Sequence, residues 1–591
     1  MKQIQKILVI AILIVSQLAL AQKKDENIGT EVVNVVKPYT PTISDAFKVK
    51  ETPTLEDEDN TKKEIIKYNI FSFPVASTFT PSKGKAAGVD KSAQEQLYHN
   101  YFTGGLGNYL TLFGELYITQ DIGDNDYVAG MVKHLSSKGG VDGVDFNDSF
   151  LNSGLDITYG SKQRDYSWNA DLGFQIQKYH WYGVPLDYNF SANNQDKPFV
   201  QDRIENGQAY KNFYIGGKIK FKESIFNEIN IKYNHFWDNS NSAENRFVVK
   251  PSFQFDIQDT TIKTNVIVDY LGGTFEKEYT GFTSLKYGFT NLGIHPSIAM
   301  KKDEWAFNLG ASIFYSIDTA NSDNKLLFYP QVNASLKVVG DIMQFYAGAE
   351  GSLEQNSYAD FVSENPFVSP TLNINPTEKQ YELFAGLKGK LSNAISYNLK
   401  GFYSNEKYKP LFMSNIYNEL ELDKEAYKYG NSFQVVYDDL KTVGFFGELK
   451  ADFSKNISFG INGSFNKYTT STQAEAWNLP AIKIGSNLDV NITKKWYAGA
   501  AVFYVGERKD FQQSINYVVT PGIDTAITTF TKTQTLKGYF DANAHVGFKY
   551  SDRFTAFLRL NNIANQGYQK WLHYPVQSFQ VMIGGNYKFD F

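Results

Sequence analysis

The chain of 591 residues contains no cysteine. Disulfide bonds, thiolate metal ligands and an acylated N-terminal cysteine are therefore excluded. After residue 21, no apolar run approaches the roughly 18 residues that a transmembrane helix needs. Basic residues are not in excess, with 58 Lys and Arg against 63 Asp and Glu, so nucleic acid is not an expected partner.

Histidines are few, and no pattern of catalytic residues accompanies them. The seven histidines are scattered along the chain, and the nearest grouping is His235 with Asp238, Ser240 and Ser242. That grouping lies in the polar run DNSNSAEN, which is typical of a loop. Isolated histidines are more often structural than catalytic. We therefore expect no enzymatic activity, no cofactor and no metal site.

Residues 1–21 have the composition of a secretory signal peptide. Two lysines precede an apolar run from Ile7 to Leu20, and the segment ends on the small-residue pattern Ala19-Leu20-Ala21. This pattern predicts cleavage between Ala21 and Gln22. The alternative is a membrane anchor, but an apolar run of about 14 residues is short for spanning a bilayer.

Residues 22–96 have few large apolar side chains and many charges and prolines. The stretch KVKETPTLEDEDNTKKE mixes both signs of charge, which predicts a flexible periplasmic segment. Residues 68–96 are more apolar but are interrupted by Pro and Gly. They either thread into the structure that follows or form an ordered lead-in to its first strand.

From residue 97 to residue 591 the chain alternates apolar and polar residues with period two, which predicts strands. Similar alternation is found in segments 213–221, 247–257, 381–391, 395–403 and 457–465. A soluble sheet with one wet face, as in an array of β-sandwiches, alternates in the same way. In the last strand one face holds Phe579, Val581, Ile583, Gly585, Tyr587, Phe589 and Phe591.

The connections between these segments alternate between short and long, which favours a transmembrane barrel over a sandwich. Short polar turns are predicted at 222–227, 392–394, 454–456, 493–495 and 551–553. Long segments are predicted at 353–379, 407–432 and 508–537. Tyr and Phe, with 39 and 46 copies, fit the aromatic girdles of such barrels. We expect an all-β, antiparallel transmembrane barrel of about 22 strands.

The C-terminal stretch FTAFLRLNNIANQGYQKWLHYPVQSFQVMIGGNYKFDF resembles the end of a TonB-dependent receptor barrel. The likeness rests on LRLNNI at 558–563, on NQGY at 565–568 and on the closing pattern Gly-Gly-x-Tyr-x-Phe at 584–589. The Gly-Arg pair that often precedes the last strand of that family is absent. The resemblance is specific at the C-terminus and only architectural over residues 97–553. It implies that Tyr587, Phe589 and Phe591 form the signal that the barrel-assembly machinery reads.

The resemblance fails before the barrel, because residues 22–96 are too few for the plug domain of that family. A barrel without that plug, as in relatives from Bacteroidetes-type bacteria, is therefore expected. The Val-rich segment 30–36 looks like the short box that contacts TonB, although any edge-pairing strand looks the same. The residues of this box-like segment are Glu31, Val32, Val33, Val35 and Val36.

Polar residues of the strands and aromatics of the long segments are the remaining candidates for function. In a pore, inward charges set charge preference, although any wide barrel needs polar walls. Aromatics in the long segments either bind sugars or a partner protein, or pack the loops. The inward charges are Lys218, Lys220, Lys250, Lys388, Lys390, Lys400, Asp256, Glu382 and Asp590, and the loop aromatics are Phe361, Phe367, Tyr408, Phe412, Tyr417 and Tyr427.

Two functions agree with these observations. The first is a pore or transport component for a solute, integral to the cell outer membrane and in contact with its lipids. The second is a structural subunit of an outer-membrane complex, whose loops bind surface lipoproteins and whose N-terminal segment binds a periplasmic partner such as TonB. The fold resemblance favours transport by analogy. The missing plug favours the structural subunit.

Overall fold

The computed structural model describes residues 98–185, 204, 206–258, 260–418, 425–518 and 526–591, with backbone only at 516–518 and 526–528. The predicted signal peptide, its cleavage site at Ala21 and Gln22, and segment 22–96 lie outside the described residues. So does the box-like segment 30–36. The absence of a plug domain concerns the same region and stays a prediction.

The described chain is built almost entirely of strands, in the order in which the sequence runs. The elements are β1 (Asn100–Gly107), β2 (Thr111–Ile122), β3 (Asp126–Ser137), β4 (Phe150–Lys162), β5 (Tyr166–His180), β6 (Gly207–Phe221), β7 (Phe226–Asp238), β8 (Ala243–Ile257), β9 (Thr260–Phe275), β10 (Leu285–Lys302), β11 (Trp305–Asp318), β12 (Asp323–Val339), β13 (Met343–Glu354), α1 (Tyr358–Glu364), β14 (Thr377–Ser392), β15 (Ile395–Ser414), β16 (Tyr417–Asn418), β17 (Phe433–Ser454), β18 (Ile457–Thr470), β19 (Ile482–Asn491), β20 (Trp496–Val505), β21 (Arg508–Val518), β22 (Ala526–Leu536), β23 (Tyr539–Lys549), β24 (Phe554–Asn561), β25 (Gln569–Trp571), β26 (Tyr574–Pro575) and β27 (Gln580–Phe589).

One sheet of 22 strands closes on itself to form a barrel. Each of its strands pairs antiparallel with its neighbours along the chain, and β1 closes the ring by pairing with β27 from Asn100↔Phe589 to Gly107↔Met582. The predicted barrel of about 22 strands is therefore confirmed, and the sandwich alternative is wrong. Closure leaves no unpaired strand edge in the wall.

The two faces of the barrel wall differ as the alternation predicts. In β27, Ile583 and Tyr587 are exposed on the outside, whereas Met582, directly before Ile583, points to the other face and is buried. In β14, Leu383, Leu387 and Leu391 are likewise exposed on the outside. An outer face of exposed large apolar residues all round a closed barrel is the surface that a bilayer covers.

The two ends of the barrel differ in their connections. Turns of two to four residues, such as 303–304 and 393–394, join the strands at the end where β1 begins and β27 ends; this is named the turn end. At the opposite end, the loop end, the long connections include 181–206, 355–376, 415–432, 506–538 and 562–579. Every turn and long segment predicted from the sequence lies at the expected end.

The single helix of the described residues, α1, was not predicted from the sequence, because seven residues are too few to show helical periodicity. Ser357 caps it, since its hydroxyl accepts a hydrogen bond from the amide of Asp360 at 3.0 Å. Within the described ranges, no helix is long and apolar enough to cross a membrane.

Candidate functional site: a cap of loops over the barrel lumen

The charged residues predicted to face the lumen lie on its wall. Lys218 Nζ is 3.0 Å from Glu228 Oε2 on the neighbouring strand. Glu382 lies between two cations, with Lys379 Nζ at 2.6 Å and Lys400 Nζ at 3.0 Å. These pairs show the mixed polar wall that a wide barrel needs. The inward face also holds Lys220, Lys250, Lys388, Lys390 and Asp256.

Aromatic rings also line the lumen, which the sequence analysis did not predict. The ring of Tyr346 lies over Gly386 of the next strand, and the ring of Phe402 lies over Gly444, so neither glycine has room for a side chain. Lys400 Nζ is 5.1 Å from the centroid of the Phe402 ring. A ring that covers a glycine on an adjacent strand fills the pleat and fixes the register. Glycines inside otherwise regular strands were the available signal.

The loop end of the barrel is covered by loops that pack on one another. We name this assembly the outer cap and define it by the described residues of loops 181–206, 355–376, 415–432, 506–538 and 562–579. Its loops and the strand ends below them share one hydrophobic core, from which the solvent is excluded. The largest side chains of that core include Trp181, Tyr358, Phe361, Phe367, Tyr427, Phe433, Trp571 and Tyr574.

Loops from opposite sides of the barrel meet in the cap. Loop 181–206 follows β5 and loop 415–432 follows β15; ten strands of the ring, β6 to β15, separate them on one side and the remaining twelve on the other. Asn431 Nδ2 of one loop nevertheless donates a hydrogen bond to the Trp181 carbonyl of the other at 3.0 Å. The cap therefore bridges the mouth of the lumen.

The centre of this bridge is a cluster of aromatic rings. Phe367 stacks on Tyr574 with ring centroids 3.6 Å apart, and Tyr182 packs edge-on against Tyr574 at 4.8 Å. The Tyr574 hydroxyl donates to the carbonyl of Asn431. These residues come from four different loops, so the cluster joins the loops to one another over the lumen.

Helix α1 docks on the wall far from its own strands. It follows β13, yet its Tyr358 ring lies among Phe236 of β7 and Phe275 of β9, with centroids 5.2 and 5.0 Å away. The Tyr358 hydroxyl donates to Asp238 Oδ2 at 2.8 Å. Burial and the Asp238 carboxylate raise the pKa of Tyr358, which keeps the hydroxyl protonated as a donor.

A buried carboxylate holds the start of α1. Glu244 Oε2 accepts hydrogen bonds from the Tyr358 amide and from the Tyr287 hydroxyl, both at 2.7 Å, and Oε1 accepts from the Ala359 amide at 3.2 Å. The first amides of a helix lack partners within the helix and favour an anionic acceptor. Glu244 on the barrel wall therefore fastens α1, and with it loop 355–376.

A second buried carboxylate, Asp510, joins its own loop to the end of β15 and to the loop between β18 and β19. Asp510 Oδ1 accepts from the Ser414 amide at 3.0 Å, and Oδ2 accepts from Asn478 Nδ2 at 2.9 Å. Burial raises the pKa of Asp510 to about 6, although the hydrogen bonds from Asn478 and Ser414 oppose the shift. Neither Glu244 nor Asp510 could be identified from the sequence, because their partners are distant in the chain.

The six loop aromatics selected from the sequence differ in their burial. Of the loop aromatics, Phe361, Phe367, Phe412, Tyr417 and Tyr427 are buried at the loop end, whereas Tyr408 is 43% exposed. Loop packing rather than an open gripping surface therefore explains five of the six.

The grouping around His235 forms a turn that the Asp238 carboxylate closes. Asp238 Oδ1 accepts from the amides of Ser240 and Ser242 at 2.8 and 2.9 Å, and His235 Nδ1 lies 2.9 Å from Asn245 Oδ1. Within the residues that the structure describes, no cluster of three His, Asp or Glu side chains could hold a metal ion.

The residues predicted to form the assembly signal lie at the turn end of β27. Tyr587 is 44% and Phe591 is 83% exposed, and Phe589 lies between them with ring centroids 6.1 and 5.5 Å away. The three side chains thus form a continuous aromatic strip, and their role in assembly stays a prediction.

No protein-family model and no curated protein matches the sequence. Solved structures match over most of the chain. The closed form of the ferric-catecholate import receptor Fiu from E. coli K12 matches with a TM-score of 0.59 and 10% identity, covering 84% of this chain and 83% of the receptor. The siderophore receptor PirA from Acinetobacter baumannii matches with a TM-score of 0.60 and 12% identity, covering 83% and 80%.

The FrpB iron transporter from Neisseria meningitidis matches with a TM-score of 0.59 and 10% identity, covering 84% of this chain and 82% of the transporter. The chain has the fold of a TonB-dependent receptor barrel. At 10–12% identity the likeness is one of fold, and it confirms the resemblance predicted from the C-terminal residues. With its apolar outer face, the protein is an integral membrane barrel of the outer-membrane type.

Proposed function

We propose that this protein is a transport barrel of the outer membrane and that the outer cap is the gate for its solute. The observation that carries the proposal is the bridge between loops from opposite sides of the barrel, with one aromatic core over the lumen. A general porin keeps a water-filled channel. Here the bridging loops must separate before a solute can pass through the middle of the mouth.

The structures with the same fold support a transport role, since they are described as import receptors and an iron transporter. At 10–12% identity, the solutes of these receptors do not identify the solute of this protein. We propose further that contact of segment 30–36 with TonB supplies the energy that opens the gate. Deletion of residues 30–36 is then expected to abolish uptake while leaving the amount of barrel in the membrane unchanged.

A structural subunit is the second candidate, because a subunit that only anchors surface lipoproteins or a periplasmic partner needs no open channel. The bridged mouth agrees with that role as well. The two candidates differ in what lies behind the gate: a transporter has a continuous path once the cap opens, whereas a subunit needs none.

The test is to loosen the cap and measure ion conductance in a planar bilayer. The variant Phe367→Ala/Tyr574→Ala removes the stacked pair at the centre of the bridge. The matched control, Tyr315→Ala/Phe328→Ala, removes two aromatic rings that are exposed on the outer face of the wall. The native protein and the control should show small and rare currents, and the cap variant should show frequent, large openings.

Silent bilayers for all three proteins, with normally folded barrels, would contradict the gate. Stable co-purification of the native protein with a surface lipoprotein, together with that silence, would support the structural subunit. Large currents from the native protein would show an open porin and would also contradict the gate.

A further inference from the structure

The lumen wall carries an uneven distribution of charge near the turn end. Among the inward lysines within four residues of the turn-end limit of their strands, five form no ion pair in the described chain: Lys220 in β6, Lys263 in β9, Lys388 and Lys390 in β14, and Lys549 in β23. We name these five residues the lysine band. Its members stand on strands from distant parts of the ring, so the charge surrounds the lumen and is not a patch on one side.

Within the described chain, no member of the lysine band has a carboxylate within 4.0 Å. The carboxylates at the same depth have other partners. Glu228 pairs with Lys218, Asp256 Oδ1 accepts from the Thr261 hydroxyl at 2.6 Å, and Asp590 Oδ1 accepts from the His99 amide at 2.7 Å. Asp452 Oδ1 accepts from the Ser458 hydroxyl at 2.9 Å, and Asp489 Oδ2 accepts from Asn487 Nδ2 at 3.5 Å. Among the described residues, therefore, no direct ion pair neutralises a lysine of the band.

Further inward lysines lie at this depth and have partners of their own. Lys301, Lys337, Lys450 and Lys588 also lie on the inward face near the turn end, on four more strands. Some of them have acidic neighbours, as Lys450 has in Glu448 at 2.8 Å. A lumen lined by one sign of charge concentrates counter-ions, and rings of lysine favour anions in pores.

Lysine, in place of arginine, indicates that these positions bind an anion weakly and let it pass through the lumen. A lysine ammonium is a strongly hydrated point charge on a flexible stem, whereas the planar arginine fork binds carboxylate and phosphate in two places at once. Passage requires sites that bind a solute but release it easily. Three lysines of the band are exposed to the lumen, namely Lys220, Lys390 and Lys549, and the other two are half-buried.

We propose that the lysine band is a transit site for a solute with carboxylate or phosphate groups, on the far side of the lumen from the outer cap. This inference rests on the proposed transport function and adds that the transported solute is an anion. An ammonium group donates hydrogen bonds to the oxygens of a carboxylate and to those of a phosphate, so the band can bind a solute that carries either group.

The test measures binding of the trisulfonated dye pyranine to the purified full-length protein in detergent, by fluorescence anisotropy. The lumen variant is Lys220→Gln/Lys388→Gln/Lys390→Gln. The matched control, Lys222→Gln/Lys455→Gln/Lys494→Gln, removes three exposed lysines from the turns and changes the net charge by the same amount. Because these lysines face water, none of the substitutions should disturb folding, and heat-modifiable migration in gels checks this.

Loss of three ammonium groups from the lumen should weaken dye binding by at least about tenfold, and the control should stay within about twofold of the native protein. Binding to the native protein should also fall with added salt more steeply than binding to the lumen variant. Tripolyphosphate and citrate, added as competitors, distinguish a preference for phosphate from one for carboxylate.

Equal loss in the lumen variant and the control, or no binding by the native protein, would overturn the transit site. So would equally strong binding of a cationic rhodamine. The gate is tested separately by conductance, and a transporter of a neutral solute would open in the cap variant yet fail this binding test.

Discussion

The contact between Glu244 and helix α1 gives the sharpest test of how the cap is fastened. In Glu244→Ala, the amides of Tyr358 and Ala359 and the hydroxyl of Tyr287 lose their shared acceptor. A buried donor left without an acceptor costs about 1–3 kcal/mol, and water entering the vacated space should recover part of the sum. We expect undocking of α1 to become easier by about 3 kcal/mol, which is about 150-fold in the open population.

Limited proteolysis of loop 355–376 in the membrane-embedded protein measures this change, because cleavage tracks the open population when opening is fast. Chymotrypsin should cut next to the aromatic residues of the loop about 100-fold faster in Glu244→Ala than in the native protein. Glu507→Ala is the control, since its carboxylate is exposed and 3.8 Å from Lys509. An increase below threefold, with an intact barrel, would refute the fastening role of Glu244.

Three further predictions concern the cap, the wall and assembly. Because the pKa of Asp510 is raised by burial, its contribution to stability is present below about pH 4 and is lost as the pH rises to about 6. Exchange protection of the segments that it joins should be higher at pH 5 than at pH 7 by about 1.3 kcal/mol, and Asp510→Asn should remove the difference. Gly386→Ala should lower thermal stability by about 2 kcal/mol or more, because its Cβ has no room, whereas Gly401→Ala, with nothing within 4 Å, should leave it unchanged. Deletion of residues 589–591 should reduce the amount of heat-modifiable barrel in the membrane, and normal amounts would show that the aromatic strip is not needed for insertion.

The barrel could be predicted from the sequence because its determinants are local. Alternation in a strand such as β27 assigns each side chain to a face, and the lengths of the connections assign each one to an end of the barrel. The side of Ile583 or Lys388 therefore follows from a few neighbouring residues. Closure of β1 on β27 follows from the number of strands and the C-terminal resemblance.

The cap could not be predicted in the same way, because its contacts join residues that are far apart in the sequence. Nothing near Phe367 in the chain indicates that its ring stacks on Tyr574, and nothing near Tyr358 indicates a place among strands β7 and β9. The sequence marked several cap aromatics but left gripping and packing as equal alternatives. The burial of the rings in a shared core shows that they pack the loops together.

The structure also limits where a gate can move. Every strand of the wall is hydrogen-bonded on both sides, so a local opening of the wall would break a ladder without an alternative partner. The cap loops, in contrast, are held by side-chain contacts such as the Phe367–Tyr574 stack, and loops are the first segments to open in native proteins. Gating should therefore leave the wall unchanged. In Phe367→Ala/Tyr574→Ala, hydrogen exchange should increase in the loops of the outer cap, while the strands β13, β14, β24 and β27 that flank the altered loops keep native protection. Faster exchange along these strands would mean that the cap and the wall open together, and that the ring contacts stabilise the barrel and are not a separate gate.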